Sequence, residues 1–258
     1  MKYAALRDPV DSRDMPFEQI ESALRQKAGL SNGGTFSYII PEYTPISNQG
    51  QVGSCVANAW ADAMEIVMGV QGLPVVQLSR LYLYWLARSF DKTTTKDEGT
   101  TMRAAAYQLK KIGICPEEFW PYEERKVLKA PPLECTTLAA DNRIKGYYRI
   151  TAGKAHVVDA IELAVRANHP VVFRTDVGPA FENFSGKGVL FPEKETEGGH
   201  AMLVHGVAHH NGRRQFWVRN SWGKDWGDDG HAWFDESYFT APFTYDMWVG
   251  THMEPVVV

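Results

Sequence analysis

The feature that most restricts what this chain can fold into is a change of hydrophobic rhythm along its length. Helical spacing dominates the first half, and short alternating runs dominate the second. Ala57, Trp60, Ala61, Met64 and Met68 recur at i, i+3, i+4, i+7 and i+11, which predicts a helix starting near residue 55. A second helix is expected over Ser79 to Phe90 with Ser79 as cap, and a third from about Thr101 to Ile112, stopped by Gly113. One further helix is expected from about His156 to Ala167. The rest of the back half reads as strands at Val171 to Thr175, Gly188 to Phe191, Ala201 to Val207, Gln215 to Asn220, His231 to Asp235 and Tyr245 to Gly250. This segregation predicts an α+β fold of two lobes. A helical lobe covers roughly residues 50–135 and an antiparallel β lobe roughly 136–258, with ligand binding in the cleft between them.

The 258 residues, 44% of them hydrophobic, suffice for a substantial core. A net charge of −4 gives no electrostatic ground for a nucleic-acid or anionic-membrane partner. The charged N-terminus has no secretory apolar run and no segment has the length of a membrane span, so the compartment stays open between cytoplasm and a signal-independent export route. Residues 1–37 read as an arm carrying a short amphipathic helix around Phe17 to Ala28. It ends in a hinge at Ser31-Asn32-Gly33-Gly34.

Three cysteines, Cys55, Cys115 and Cys135, allow at most one disulfide and leave at least one thiol free. Cys55 stands apart because a loop of turn formers, Ile46 to Ser54, runs straight into its helix. A thiol reacts as thiolate, and the positive end of a helix dipole lowers its pKa. The second activating device is an imidazole, for which eight histidines compete. His156, His169, His209, His210 and His252 read as surface or packing residues, the loop-borne ones being His169, His209 and His210. His200 lies between Gly198-Gly199 and an apolar run, at the mouth of a strand, where it can face a cleft. A metal site built from His205, His209 and His210 finds no cysteine or carboxylate at structural-zinc spacing, so no metal and no cofactor are expected.

The segment Asn48-Gln49-Gly50-Gln51-Val52-Gly53-Ser54-Cys55 resembles the active-site segment of the papain-like cysteine peptidases, with a Gln six residues before the nucleophile. His200-Ala201-Met202-Leu203-Val204-His205-Gly206-Val207 is similar to that family's histidine strand. Phe216-Trp217-Val218-Arg219-Asn220-Ser221-Trp222-Gly223, with Trp226-Gly227 and Gly230 after it, resembles its asparagine segment. The likeness covers roughly residues 41–250, includes Gly99 to Arg103 and Phe119-Trp120-Pro121-Tyr122, and has the cast of bacterial members. It implies a papain-like fold over residues 38–258 with a β-barrel-like second lobe. It also implies a peptidase, expected as a monomer acting on a peptide or protein, with Cys55 as nucleophile, His200 as base and acid, Asn220 orienting the imidazole, and Gln49 donating to the oxyanion. By the same resemblance Trp222 covers the His–Asn bond, and Gly53, Gly99 and Ala201 contact substrate.

Three positions depart from the family pattern. Val52 replaces a bridging cysteine, Val56 replaces the tryptophan after the nucleophile, and Gly199 replaces a polar residue before the histidine. The arm lacks the long helical pro-domain pattern of the plant and animal enzymes, yet it is long enough to lie across the cleft as a short pro-segment. A thiol-dependent amidase or acyltransferase on the same scaffold, and a non-catalytic peptide-binding module, stay open as alternatives.

Overall fold

The structure, a computed structural model, describes residues 3–28, 37–151, 153 and 156–253. The hinge expected at Ser31-Asn32-Gly33-Gly34 lies outside the described residues. The elements in chain order are β1 (Ala5–Leu6), α1 (Glu18–Ala28), β2 (Ser37–Ile39), α2 (Cys55–Val70), α3 (Arg80–Asp91), β3 (Thr100–Thr101), α4 (Met102–Lys111) and α5 (Leu133–Ala139). They continue with β4 (Ile144–Arg149), α6 (Val157–Arg166), β5 (Val171–Val177), α7 (Pro179–Glu182), β6 (Val189–Leu190), β7 (Gly198–His210), β8 (Arg213–Arg219), β9 (His231–Asp235), α8 (Ser237–Thr240) and β10 (Thr244–Met253).

The helix α2 is buried on every side from Cys55 to Met68. Its apolar stripe was legible from spacing, whereas the burial of its polar positions Asn58, Asp62 and Glu65 was not. The two carboxylates are tolerated because Arg80, at the start of α3, reaches Asp62 at 2.6 Å and Glu65 at 2.6 Å. Arg219, at the end of β8, adds a contact of 3.2 Å to Asp62. Ser79 caps α3 as expected, and Thr101, expected only as the start of the third helix, caps α4. Ser79 Oγ accepts from the Tyr82 N–H at 3.2 Å, and Thr101 Oγ1 accepts from the Ala104 N–H at 3.2 Å.

The sheet order is β4-β10-β5-β7-β8-β9-β6, with β2 also paired to β7. The pairs are antiparallel except β6 with β9. Long β7 is the spine of this lobe and takes in His209 and His210, which the sequence reading had put in loops. The strand β4 had no counterpart in that reading, since Lys145 and Gly146 interrupt its alternation. Between Val204 and Gly206 the β7–β8 register shifts, a bulge that re-aims the side chain of His205.

The N-terminal arm has two parts with different attachments. Met15 and Phe17 exchange backbone hydrogen bonds with Arg149 of β4 at 2.8 Å each, and α1 packs on α6, so this part belongs with the β sheet. Upstream, β1 runs parallel to β3, with Ala5 opposite Thr100 and Leu6 opposite Thr101. That stretch of chain lies in the cleft.

Candidate active site

Cys55 begins α2 with no exposed surface, and the backbone N–H groups of Ala201, Ala4 and Val56 bear on its sulfur in the sense that favours the thiolate. The Ala201 contact sets the thiol beside His200, because the two residues are adjacent on β7. Burial pushes the Cys55 thiol up from its ordinary value, and the N–H groups offset this in part. His200 Nε2 lies 2.8 Å from Asn220 Oδ1. The same Oδ1 accepts from the Ser221 N–H at 2.8 Å, so the asparagine presents its oxygen to the ring. Nε2 therefore carries the hydrogen, and Nδ1 holds the lone pair and makes no hydrogen bond. The Trp222 ring packs over His200 at 4.8 Å between centroids, shielding the His–Asn bond from water. Burial lowers the imidazole to about 4, with the Asn220 hydrogen bond opposing the shift.

Gln49 is buried and spans two of the motifs. Its Nε2 donates to the Val52 carbonyl at 2.9 Å, its Oε1 accepts from Ser221 Oγ at 2.7 Å, and its backbone N–H donates to the Ser221 carbonyl at 2.9 Å. Cys55, His200, Asn220, Gln49, Ala201 and Trp222 are thus gathered in one place from segments up to 172 residues apart.

Gly53 and Gly99 stand on the opposite wall, tied by Asp97 Oδ1, which accepts from the Gly53 N–H at 3.0 Å and from the Tyr84 hydroxyl at 2.7 Å. Tyr84 in turn accepts from the Gly99 N–H at 2.9 Å. The backbone of the arm passes between these walls. Gly99 has φ +86°, and a Cβ on it would stand 1.8 Å from the Ala4 carbonyl oxygen. A Cβ on Gly199 would stand 2.4 Å from the Ala5 carbonyl oxygen and 2.2 Å from an Arg174 nitrogen. That contact gives the departure at Gly199 a physical reason: the arm needs the space.

Several residues at this site carried no sequence signal. Arg174 on β5 donates to the Ala5 carbonyl at 3.0 Å. Tyr3 lies edge-on to His200 at 6.4 Å and against Trp222 at 5.9 Å. Asp8 fastens the arm, accepting from the Arg103 N–H at 3.0 Å and from Trp248 Nε1 at 2.8 Å, while its own N–H donates to Asp246 at 2.8 Å. Phe181, from the short α7, packs on both His200 and Trp222. The family's motifs mark the catalytic loop and strands, and contacts made by backbone or by distant side chains leave no such mark.

The remaining histidines correct the earlier grouping. His209 pairs with Glu162 of α6 at 3.1 Å, and His210 is exposed beside Asn211. His205 instead meets Glu42, a carboxylate far away in the sequence, together with His231. His169, read as a loop residue, is buried against His252, and burial lowers it to about 4. An unfolded imidazole titrates near 6.5, so below that value the unfolded chain binds the extra proton. The His169 contribution is whole above about pH 6.5 and is lost as pH falls toward 4, reaching about 3 kcal/mol. Burial acts on Asp246 in the opposite sense, raising it to about 6. The His169 effect is therefore read by difference. Relative to the parent chain, His169→Gln should gain stability in urea unfolding as pH falls from about 7 to about 4.5, and a pH-independent difference would contradict the assignment.

A family model described as papain family cysteine protease matches residues 40–241. An uncharacterized peptidase C1-like protein of Acanthamoeba polyphaga mimivirus is 30% identical over 216 residues, covering 80% of this chain and 67% of that protein. Cathepsin K of Mus musculus is 29% identical over 191 residues, covering 73% of this chain, which spans 55% of its length. Among solved structures, xylellain, a cysteine protease from Xylella fastidiosa, superposes with a TM-score of 0.81 at 25% identity over 98% of this chain and 96% of that one. The procathepsin L 3 structure from Tenebrio molitor, at 20% identity and a TM-score of 0.71 over 98% of this chain and 84% of that one, shares the fold. The chain belongs to the papain family of cysteine proteases.

Proposed function

We propose that this chain hydrolyses peptide bonds with Cys55, His200 and Asn220 as its catalytic triad. The observation that carries the reading is the Asn220–His200 hydrogen bond, whose polarity leaves the Nδ1 lone pair on the residue next to Ala201, whose N–H bears on the Cys55 sulfur. His200 Nδ1 takes the thiol proton, the thiolate adds to the scissile carbonyl, and the same proton passes to the leaving amine as the thioester forms. Water then attacks the thioester, giving its proton to Nδ1, and the thiol is regenerated as the acid leaves. Asn220 holds the ring through Nε2–H without adding charge. The Gln49 side-chain amide and the Cys55 N–H serve the oxyanion. Gln49→Ala should lower kcat by about 10² to 10³ with KM little changed, in steady-state kinetics on a peptide amide.

The segment from Tyr3 to Asp8 is a latch over this site. It takes the place of a substrate backbone between Gly53, Gly99 and Ala201, and it keeps the catalytic pair out of water. In that state desolvation raises the thiol and lowers the imidazole, so the uncharged pair is held and nucleophilic thiolate is suppressed. An arm docked this way also supports the reading of Gly53 and Gly99 as substrate contacts.

The test is hydrolysis of a mixed peptide pool by a chain lacking residues 1–12, with and without an added amine. Cleavage to free carboxyl termini, absent in Cys55→Ala, is expected. Products formed only when the amine is present would favour acyl transfer, and peptide retention without any turnover would favour a binding module.

A further inference from the structure

A second constellation lies outside the cleft, where Glu42, His205 of β7 and His231 of β9 bring three ligand atoms within 4.8 Å of one another. His205 Nδ1 lies 3.0 Å from the Ile40 carbonyl, and His231 Nδ1 lies 3.0 Å from the Asp229 carbonyl. A carbonyl oxygen only accepts, so each ring carries its hydrogen on Nδ1 and turns Nε2 inward. Both Nε2 atoms converge on one oxygen, Glu42 Oε1, at 3.2 Å from His205 and 2.6 Å from His231. His205 Nε2 is buried and makes no hydrogen bond. His231 Nε2 lies at hydrogen-bond distance from Glu42 Oε1, and the His205 lone pair faces the same anionic oxygen without a partner, so the cluster calls for one more positive charge, an added proton or a metal ion.

The surroundings support the same demand. Arg219 Nη1 pairs with the other Glu42 oxygen at 2.9 Å, and behind it lie Asp62, Arg80 and Glu65. The cluster sets the carboxylates of Glu42, Asp62 and Glu65 against the guanidinium groups of Arg80 and Arg219. Trp217 stacks on the His231 ring at 5.1 Å and 7°, fixing its plane. Imidazole nitrogens oriented by backbone carbonyls are the arrangement metal-binding histidines use.

We propose that Glu42, His205 and His231 bind a divalent cation of the zinc type. Two imidazole nitrogens and one carboxylate oxygen suit a borderline transition-metal ion and do not suit magnesium or calcium, which take oxygen ligands. Glu42 keeps about a quarter of its side chain exposed, at 24%, which leaves a path for the ion and a place for a water as fourth ligand. The ion staples the segment leading to the catalytic loop onto the strand that carries His200. The catalytic thiol and imidazole are a competing site for the same metal, so the assignment has to be read with the thiol removed.

The experiment titrates zinc chloride into the metal-free full chain carrying Cys55→Ala, by calorimetry, and repeats the titration with Glu42→Gln and His231→Gln added singly. One equivalent bound at micromolar or tighter affinity, weakened about a hundredfold or more by each added change, is the expected result. Zinc binding no tighter than about millimolar, or equal binding in the variants, overturns the proposal and leaves a proton as the bridging charge. Should either variant fail to fold by circular dichroism, cobalt(II) added to the Cys55→Ala chain decides. Visible bands of a four-coordinate ion with nitrogen and oxygen ligands support the site, and their absence overturns it.

Discussion

A chain lacking residues 1–12 is expected to hydrolyse peptides at least about a hundredfold faster than the intact chain. The segment proposed as a latch is held by contacts that reinforce one another. The Ala4 carbonyl accepts from the Thr100 N–H at 3.3 Å, Arg174 holds the Ala5 carbonyl at 3.0 Å, and Asp8 is bound at both carboxylate oxygens. Because the arm is tethered, its docking is intramolecular, and a preference of a few kcal/mol suffices to leave under about 1% of the molecules open. Cutting after residue 12 spares Asp14, which pairs with Arg103 at 2.6 Å and Arg149 at 2.9 Å, and it spares α1 on the β sheet. Deleting all of residues 1–37 would confuse two effects, since buried Phe17 and Leu24 contribute to the core. Gly199→Ala should release the latch in the intact chain by crowding the Ala5 carbonyl, with a smaller rise in activity. Equal kcat/KM for the intact and the shortened chain, both folded, would refute the latch.

Replacing Arg80 with Met is expected to cost about 3 to 5 kcal/mol of folding stability, seen as a lowered midpoint in urea unfolding. Arg80 keeps only 3% of its surface. Its Nη1 donates to Glu65 at 2.6 Å and to the Leu78 carbonyl at 2.8 Å, and its Nη2 donates to Asp62 at 2.6 Å. Removing the guanidinium takes from Glu65 its paired cation and leaves Asp62 to Arg219 alone, in the interior of α2, the helix whose first residue is Cys55. Lysine is no substitute, because one ammonium cannot reproduce the forked contacts to two carboxylates. By contrast Arg125, paired with Glu123 on the surface at 2.5 Å, should change stability by less than about 0.5 kcal/mol when replaced by alanine. An Arg80→Met chain as stable as its parent would contradict the view that this network anchors the helix.

The parts of the fold that the sequence announced are those set by local chemistry. The start of α2 at Cys55 follows from turn formers meeting a helical stripe, and the cap Ser79 acts through its own side chain. His200, Asn220 and Gln49 were legible because each sits in a motif whose neighbours also matter, as Ser221 does by binding both Asn220 and Gln49. That the arm was long enough to lie across the cleft was legible, but which of its residues dock there was not. Ala4 and Ala5 dock through backbone groups, which every residue carries, and the trace they left in the sequence was the departure at Gly199. Glu42, His205 and His231 were missed for a different reason. Sequence proximity suggested His209 and His210 as companions of His205, while the sheet bulge and the pairing of β8 with β9 bring His231 to it instead.

The central claim is that Cys55 is a triad nucleophile kept silent by the arm, and thiol labelling tests it most directly. Intact chain and chain lacking residues 1–12 are treated under native conditions with an epoxide that traps active-site thiols, and the rate at each cysteine is followed by peptide mapping. Cys55 should react at least about a hundredfold faster once the arm is gone. Cys115 and Cys135, buried and pushed up by desolvation, should stay unmodified in both chains. Labelling of Cys115 or Cys135 with Cys55 spared, or a Cys55 rate unchanged by loss of the arm, would contradict the account.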